Sequence, residues 1–80
     1  MPKSKIEFPE FHAQVGARIR ELRIKRGLSS EDFAKRAEMS TQSLAHYERG
    51  TRSPSLHACH RMCVVLGIDI YDLFKGIPQR

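Results

Sequence analysis

Ser29–Gly50, SSEDFAKRAEMSTQSLAHYERG, contains two short helices and the tight turn that joins them. Ser29 or Ser30 offers a capping hydroxyl, Glu31 and Asp32 place negative charge at the positive end of a helix, and a carboxylate three residues on completes a capping box. Phe33, Ala34 and Ala37 then fall on one face, and Ala34 is small where a second helix has to cross closely. Met39 can plug the corner, and Ser40 or Thr41 can cap the next helix. That helix turns Leu44 and Tyr47 inward and leaves Thr41, Gln42, Ala45, His46 and Arg49 facing out. A helix pair of this size, with a small and polar outer surface, is suited to the major groove of DNA.

Working outward, an arm of residues 1–8 carries Lys3 and Lys5, and a helix is predicted from Pro9 or Glu10 to Arg26. Phe11, Val15, Ile19 and Leu22 share one of its faces, and Gly27 ends it. Beyond the pair, Gly50–Pro54 (GTRSP) turns the chain and Pro54 or Ser55 starts a fourth helix, with Leu56, Cys59, Met62, Cys63 and Leu66 on one side. Gly67 stops that helix, and Asp69 caps a short fifth one that ends in Leu73 and Phe74. The expected organisation is an all-α, compact five-helix bundle over residues 9–76, followed by a tail of residues 77–80.

Eighty residues make one small domain that buries only about 60% of its unfolded surface, so function belongs on the surface rather than in a deep cleft. The net charge of +5 suits a polyanionic partner, and Arg18–Arg52 concentrates it, with nine basic against five acidic residues. Charge alone does not separate that reading from a plain solvated basic surface. No run is long and apolar enough to span a bilayer, and MPKSKIEFPEF lacks the apolar core of a secretion signal, so the cytoplasm is the expected compartment.

The order and spacing of IRELRIKRGLS (19–29), FAKRAEMS (33–40), SLAHYERG (43–50) and RSPSLHACHRMCVVLGIDIYDLF (52–74) resemble the lambda-repressor-like, or Cro/C1-type (XRE), helix-turn-helix family. The resemblance covers about two thirds of the chain. It implies a sequence-specific double-stranded DNA-binding regulator, most simply a repressor that occupies a palindromic operator as a homodimer. A different class remains open, an antitoxin-type or other protein-interaction module whose main duty is to hold a partner protein.

Chemistry and resemblance together give the candidate contacts. Gln42 can pair bidentately with adenine, Thr41 can bond a base edge or meet a thymine methyl, Ala45 permits close approach, and His46 lies one turn on along the same face. A merely solvated helix face would carry the same residue types. Phosphate contacts are expected from Ser30, Arg49, Thr51, Arg52, Ser53 and Ser55, through positive charge, hydroxyls or the amides of helix N-termini. Ser30 stands where the family usually has glutamine, which shortens the reach, and Glu38 stands where it usually has glycine, which predicts a strained turn.

The resemblance also implies that Arg23 and Glu48 form a structural ion pair between the first helix and the end of the third, the alternative being that Arg23 reaches a phosphate. His57, Cys59, His60 and Cys63 are metal-ligating types, but one helix cannot wrap four of them around one ion, and the cysteines match core positions. No metal, cofactor or small-molecule ligand is expected. Nor is catalysis, because no serine has a base-and-orienter arrangement and there is no phosphate-binding glycine loop. A dimer surface is sought on Val64, Tyr71, Phe74 and Ile77, of which Tyr71 and Phe74 could instead complete the monomer core.

Overall fold

The computed structural model describes residues 9–75 and 77, so the arm of residues 1–8, the domain boundary at Gly76 and residues 78–80 of the tail lie outside the described residues. All regular structure among the described residues is helical: α1 (Pro9–Lys25), α2 (Ser30–Arg36), α3 (Thr41–Arg49), α4 (Leu56–Leu66) and α5 (Ile70–Phe74). Proline suits the first position of α1 because the N–H it lacks would have no partner inside the helix. Each later helix opens on a side-chain cap. Ser29, Ser40, Ser55 and Asp69 accept hydrogen bonds from the backbone N–H of Asp32, Ser43, Ala58 and Asp72, at 2.9 to 3.1 Å. Such caps satisfy amides that a helix start leaves unpaired.

The ends of α1 to α4 share another device, a bond from the amide that directly follows a left-handed residue back across the last turn. Leu28, Met39, Thr51 and Ile68 donate in this way to the carbonyls of Arg23, Ala34, His46 and Cys63, at 2.9 to 3.1 Å. The motif needs one left-handed residue. Glycine supplies it at three of the four ends, and at the turn between α2 and α3 it is Glu38, with φ 59°. A side chain in that region costs about 1–2 kcal/mol, part of which glycine returns through its freer unfolded state. Glu38→Gly is therefore expected to stabilise the domain by about 0.5–1 kcal/mol, read as a Tm a few degrees higher in calorimetry. A Tm at or below that of the wild type would show that Glu38 carries no net strain.

The inward faces meet in one core. Val15, Ile19 and Leu22 of α1, Phe33 and Ala34 of α2, Leu44 of α3, and Met62, Cys63 and Leu66 of α4 are buried, joined by Ala37, Leu73 and Ile77. Met39, Tyr47 and Phe11 pack against them half-buried. Leu56 departs from the sequence reading, for it is 77% exposed although it shares a helical face with Cys59 and Met62. It occupies the first position of α4. Leu56 instead helps line an apolar groove of about 190 Å³ with Phe11, Val15, Pro54, Cys59 and Phe74.

Candidate nucleic-acid interface

The third helix is held by its inner face and presented by its outer one. Leu44 is fully buried under it and Tyr47 is half-buried. Its last turn lies directly on α1, at Gly16. A methyl group on Gly16 would fall within 2.7 Å of the Glu48 carbonyl oxygen and closer still to that of Tyr47. Just past the helix, a methyl on Gly50 would come within 2.6 Å of the Ala13 Cα. The two backbones thus touch with no side chain between them.

Beside this crossing, Arg23 of α1 reaches Glu48 of α3 with two parallel bonds, Nε to Oε2 at 2.8 Å and Nη2 to Oε1 at 3.2 Å. The remaining nitrogen, Nη1, donates to the Leu28 carbonyl at 2.9 Å. The side chains are only 10% and 9% exposed. A bidentate guanidinium–carboxylate pair fixes both distance and orientation, which suits it to locking one helix on another. Each of the three guanidinium nitrogens of Arg23 thus has a partner inside the fold.

On the outer face, Thr41 and Gln42 are exposed in the first turn of α3, and Ala45 and His46 are half-buried one turn further along. Arg49 is exposed at the end of the helix, with Thr51, Arg52 and Ser53 exposed in the loop that follows. Ser30 is half-buried at the start of α2, and Ser55 is exposed at the start of α4, where its oxygen already accepts from Ala58 N–H. By helical spacing Thr41, Gln42, Ala45, His46 and Arg49 share the outer side of α3, and of the loop residues Thr51 closes back on His46. Thr51 has a partner that periodicity did not suggest, since its Oγ1 lies 2.9 Å from Nδ1 of His46.

Several cations counted toward an electrostatic footprint are committed inside the fold. Arg26 Nε donates to the Leu66 carbonyl at the end of α4, at 2.9 Å, and Arg18 Nη2 donates to the Asp72 carbonyl in α5, at 3.2 Å. Arg61 Nε donates to the Ala37 carbonyl just past α2, at 2.7 Å. Each positive group meets the negative end of a helix, where terminal carbonyls lack internal partners. Sequence reasoning missed these roles and that of Gly16. A glycine in the middle of a helix, which costs about 1 kcal/mol against alanine, was the available signal for Gly16.

Of the residues proposed for a dimer surface, Val64 is 63% and Tyr71 69% exposed. Ile77 is taken into the core, where it has almost no surface to offer a second chain. Phe74 is half-buried against Phe11, with ring centroids 5.8 Å apart, so its ring completes the monomer. Cys59 and Cys63 are buried, free thiols. Burial pushes both up from the ordinary thiol range, and Cys59, Asp69 and Asp72 add to the effect on Cys63, which reaches about 11. A thiol held protonated is a weak nucleophile and a weak metal ligand. Among the described residues, no three histidines, cysteines or acids come together as a metal site, and no helix is long and apolar enough to cross a membrane.

Comparison with known proteins finds the same pattern. A family model described as a helix-turn-helix domain matches residues 14–72. The HTH-type transcriptional regulator DdrOP3 of Deinococcus deserti is 40% identical over 60 residues, covering 75% of this chain, which in turn spans 46% of that protein's length. The restriction-modification controller protein C.AhdI from Aeromonas hydrophila superposes with a TM-score of 0.78 at 31% identity, over 84% of this chain and 100% of that one. SinR, a Bacillus subtilis protein described as the master regulator for biofilm formation, was solved in complex with DNA. That structure superposes with a TM-score of 0.72 at 26% identity, over 76% of this chain and 98% of that one.

Proposed function

Because this chain belongs to the Cro/C1-type (XRE) helix-turn-helix family of transcriptional regulators, which are not enzymes, we propose that it is a sequence-specific double-stranded DNA-binding protein that represses by occupying a palindromic operator as a homodimer. The observation that carries the reading is the state of α3. Its inner face is locked to α1 through Gly16 and the Arg23–Glu48 pair, while Thr41 and Gln42 stand exposed on its first turn. A rigid rod with free polar side chains at its N-terminal end is what a major groove accepts. That SinR, a structural neighbour, was solved in complex with DNA supports DNA as the partner.

In this reading Thr41, Gln42, Ala45 and His46 face base edges, whereas Ser30, Arg49, Arg52, Ser53 and Ser55 hold the backbone on either side. One such helix reads few base pairs, so two copies multiply the specificity. Val64 and Tyr71, apolar and exposed on α4 and α5, supply surface for the second copy. Occlusion of a promoter is the simplest mechanism for a domain whose working surface is this one helix and its loop.

Selection of bound fragments from a random duplex pool tests the proposal. The expected product is an inverted repeat with half-sites about one helical turn apart, and a pool enriched only in single half-sites would refute the dimer. Two variants then separate base from phosphate roles. Gln42→Ala should relax one position in each half-site at a cost of roughly 1–3 kcal/mol. Arg52→Ala should weaken all sequences alike and lower the salt dependence by about one phosphate contact. If both variants lose affinity uniformly, Gln42 does not read a base.

A further inference from the structure

We propose that Thr51 sets the base preference of His46, by holding the imidazole in a single tautomer whose Nε2 offers a lone pair to the groove. This rests on the DNA-binding reading above and assigns Thr51 a task other than gripping a phosphate.

The chain path makes the contact. Gly50, left-handed at φ 75°, turns the backbone so that Thr51 N–H bonds the His46 carbonyl at 3.0 Å, which brings residue 51 back over residue 46. From there Thr51 Oγ1 meets the same histidine twice. It donates to the His46 carbonyl at 3.2 Å and lies 2.9 Å from the ring's Nδ1. A hydroxyl has one proton and two lone pairs. In the proposed arrangement that proton stays directed at the carbonyl, so Nδ1 supplies its own proton to the ring contact and the hydroxyl oxygen accepts it. A neutral imidazole protonated at Nδ1 carries a bare lone pair at Nε2, on the ring edge remote from Thr51.

Major-groove chemistry gives that lone pair a meaning. The amino groups of adenine (N6) and cytosine (N4) are donors and match it, whereas guanine O6 and N7 and thymine O4 are acceptors and oppose it. His46 should thus favour adenine or cytosine at the position it faces. Without the Thr51 hydroxyl the ring can carry its proton on either nitrogen and turn about its bonds, so Nε2 becomes donor or acceptor as the base demands and the preference fades. The same bonding pattern leaves the hydroxyl without a proton to give to a phosphate oxygen.

Thr51→Val removes the hydroxyl and keeps the branched shape, and Thr51→Ser keeps the hydroxyl. The Thr51 N–H bond and Gly50 survive in both, so their melts should stay within a few degrees of the wild type. Duplex selection and titration at pH 8 compare these two with the wild type and with His46→Ala, which locates the position that His46 reads. The wild type should prefer adenine or cytosine there by roughly fivefold, the scale of one net hydrogen bond. Thr51→Val should bring that below about twofold with other positions unchanged, and Thr51→Ser should retain it. Preference for guanine or thymine, an unchanged preference in Thr51→Val, or a uniform loss over all sequences would each overturn the proposal, the last placing Thr51 on a phosphate. A wild-type operator that His46→Ala selects unchanged at every position overturns this inference alone. Failure of the wild type to select any duplex overturns the DNA-binding reading with it.

Discussion

Gly16→Ala is expected to destabilise the domain by about 2–3 kcal/mol, against the usual sign of that substitution. In an ordinary helix interior the change would add roughly 1 kcal/mol of stability, because alanine loses less backbone freedom on folding. Here the new methyl would meet the carbonyl oxygens of Tyr47 and Glu48, within 2.7 Å of the second. Both are backbone atoms in the last turn of a helix and cannot swing aside as a side-chain tip would. Relief comes only by prising α3 from α1, which also stretches the Arg23–Glu48 pair and uncovers part of the core, a form of overpacking. Calorimetry should show a Tm lower by roughly 10–20 °C. Ala17→Gly, at an exposed position of the same helix, provides the control and should lose only about 1 kcal/mol through propensity. A Gly16→Ala variant as stable as the wild type would mean that the two backbones are not in contact.

Much of this architecture was legible because helix ends are written in local chemistry. Ser29, Ser55 and Asp69 cap where a short polar side chain precedes a periodic apolar run, and Gly27, Gly50 and Gly67 stop helices where their left-handed backbone is needed. The strained turn at Glu38 was legible only through resemblance, since nothing in its neighbours alone demands φ 59°. Periodicity tells which face a residue occupies, not whether anything covers it: Leu56 shares a side of α4 with Cys59 and Met62 and is 77% exposed all the same.

Charge was the least transparent signal. The carbonyls that receive Arg26 and Arg18 lie 40 and 54 residues away in the chain, and no local pattern distinguishes an arginine that braces a distant helix end from one awaiting phosphate. With Arg18, Arg23 and Arg26 bonded within the fold, the positive charge free for a polyanion is smaller than the sequence count implies. The contact between Thr51 and His46 was hidden for a related reason. Spacings of three and four mark neighbours along a helix, whereas this pair meets across the reversal that ends one.

Arg23→Ala and Glu48→Ala should each cost about 3–5 kcal/mol, a large share of the few to roughly a dozen kcal/mol that hold a domain of this length together. Either change leaves a nearly buried charge without its partner, and loss of Arg23 also takes away the donor that Nη1 gives the Leu28 carbonyl. Thermal melts should fall by about 12 °C or more in both. Most of that loss is the stranded charge, not the net worth of the bond, which makes a double substitution informative. Arg23→Met with Glu48→Leu fills similar volume without either charge and should be more stable than each alanine variant by at least about 1 kcal/mol. Operator affinity, measured well below every melting point, should then follow how firmly α3 is seated, with the salt dependence unchanged because no phosphate contact has been removed. If instead Arg23→Ala melts like the wild type and flattens the salt dependence, Arg23 reaches a phosphate and α3 is seated by packing at Gly16 and Leu44 alone.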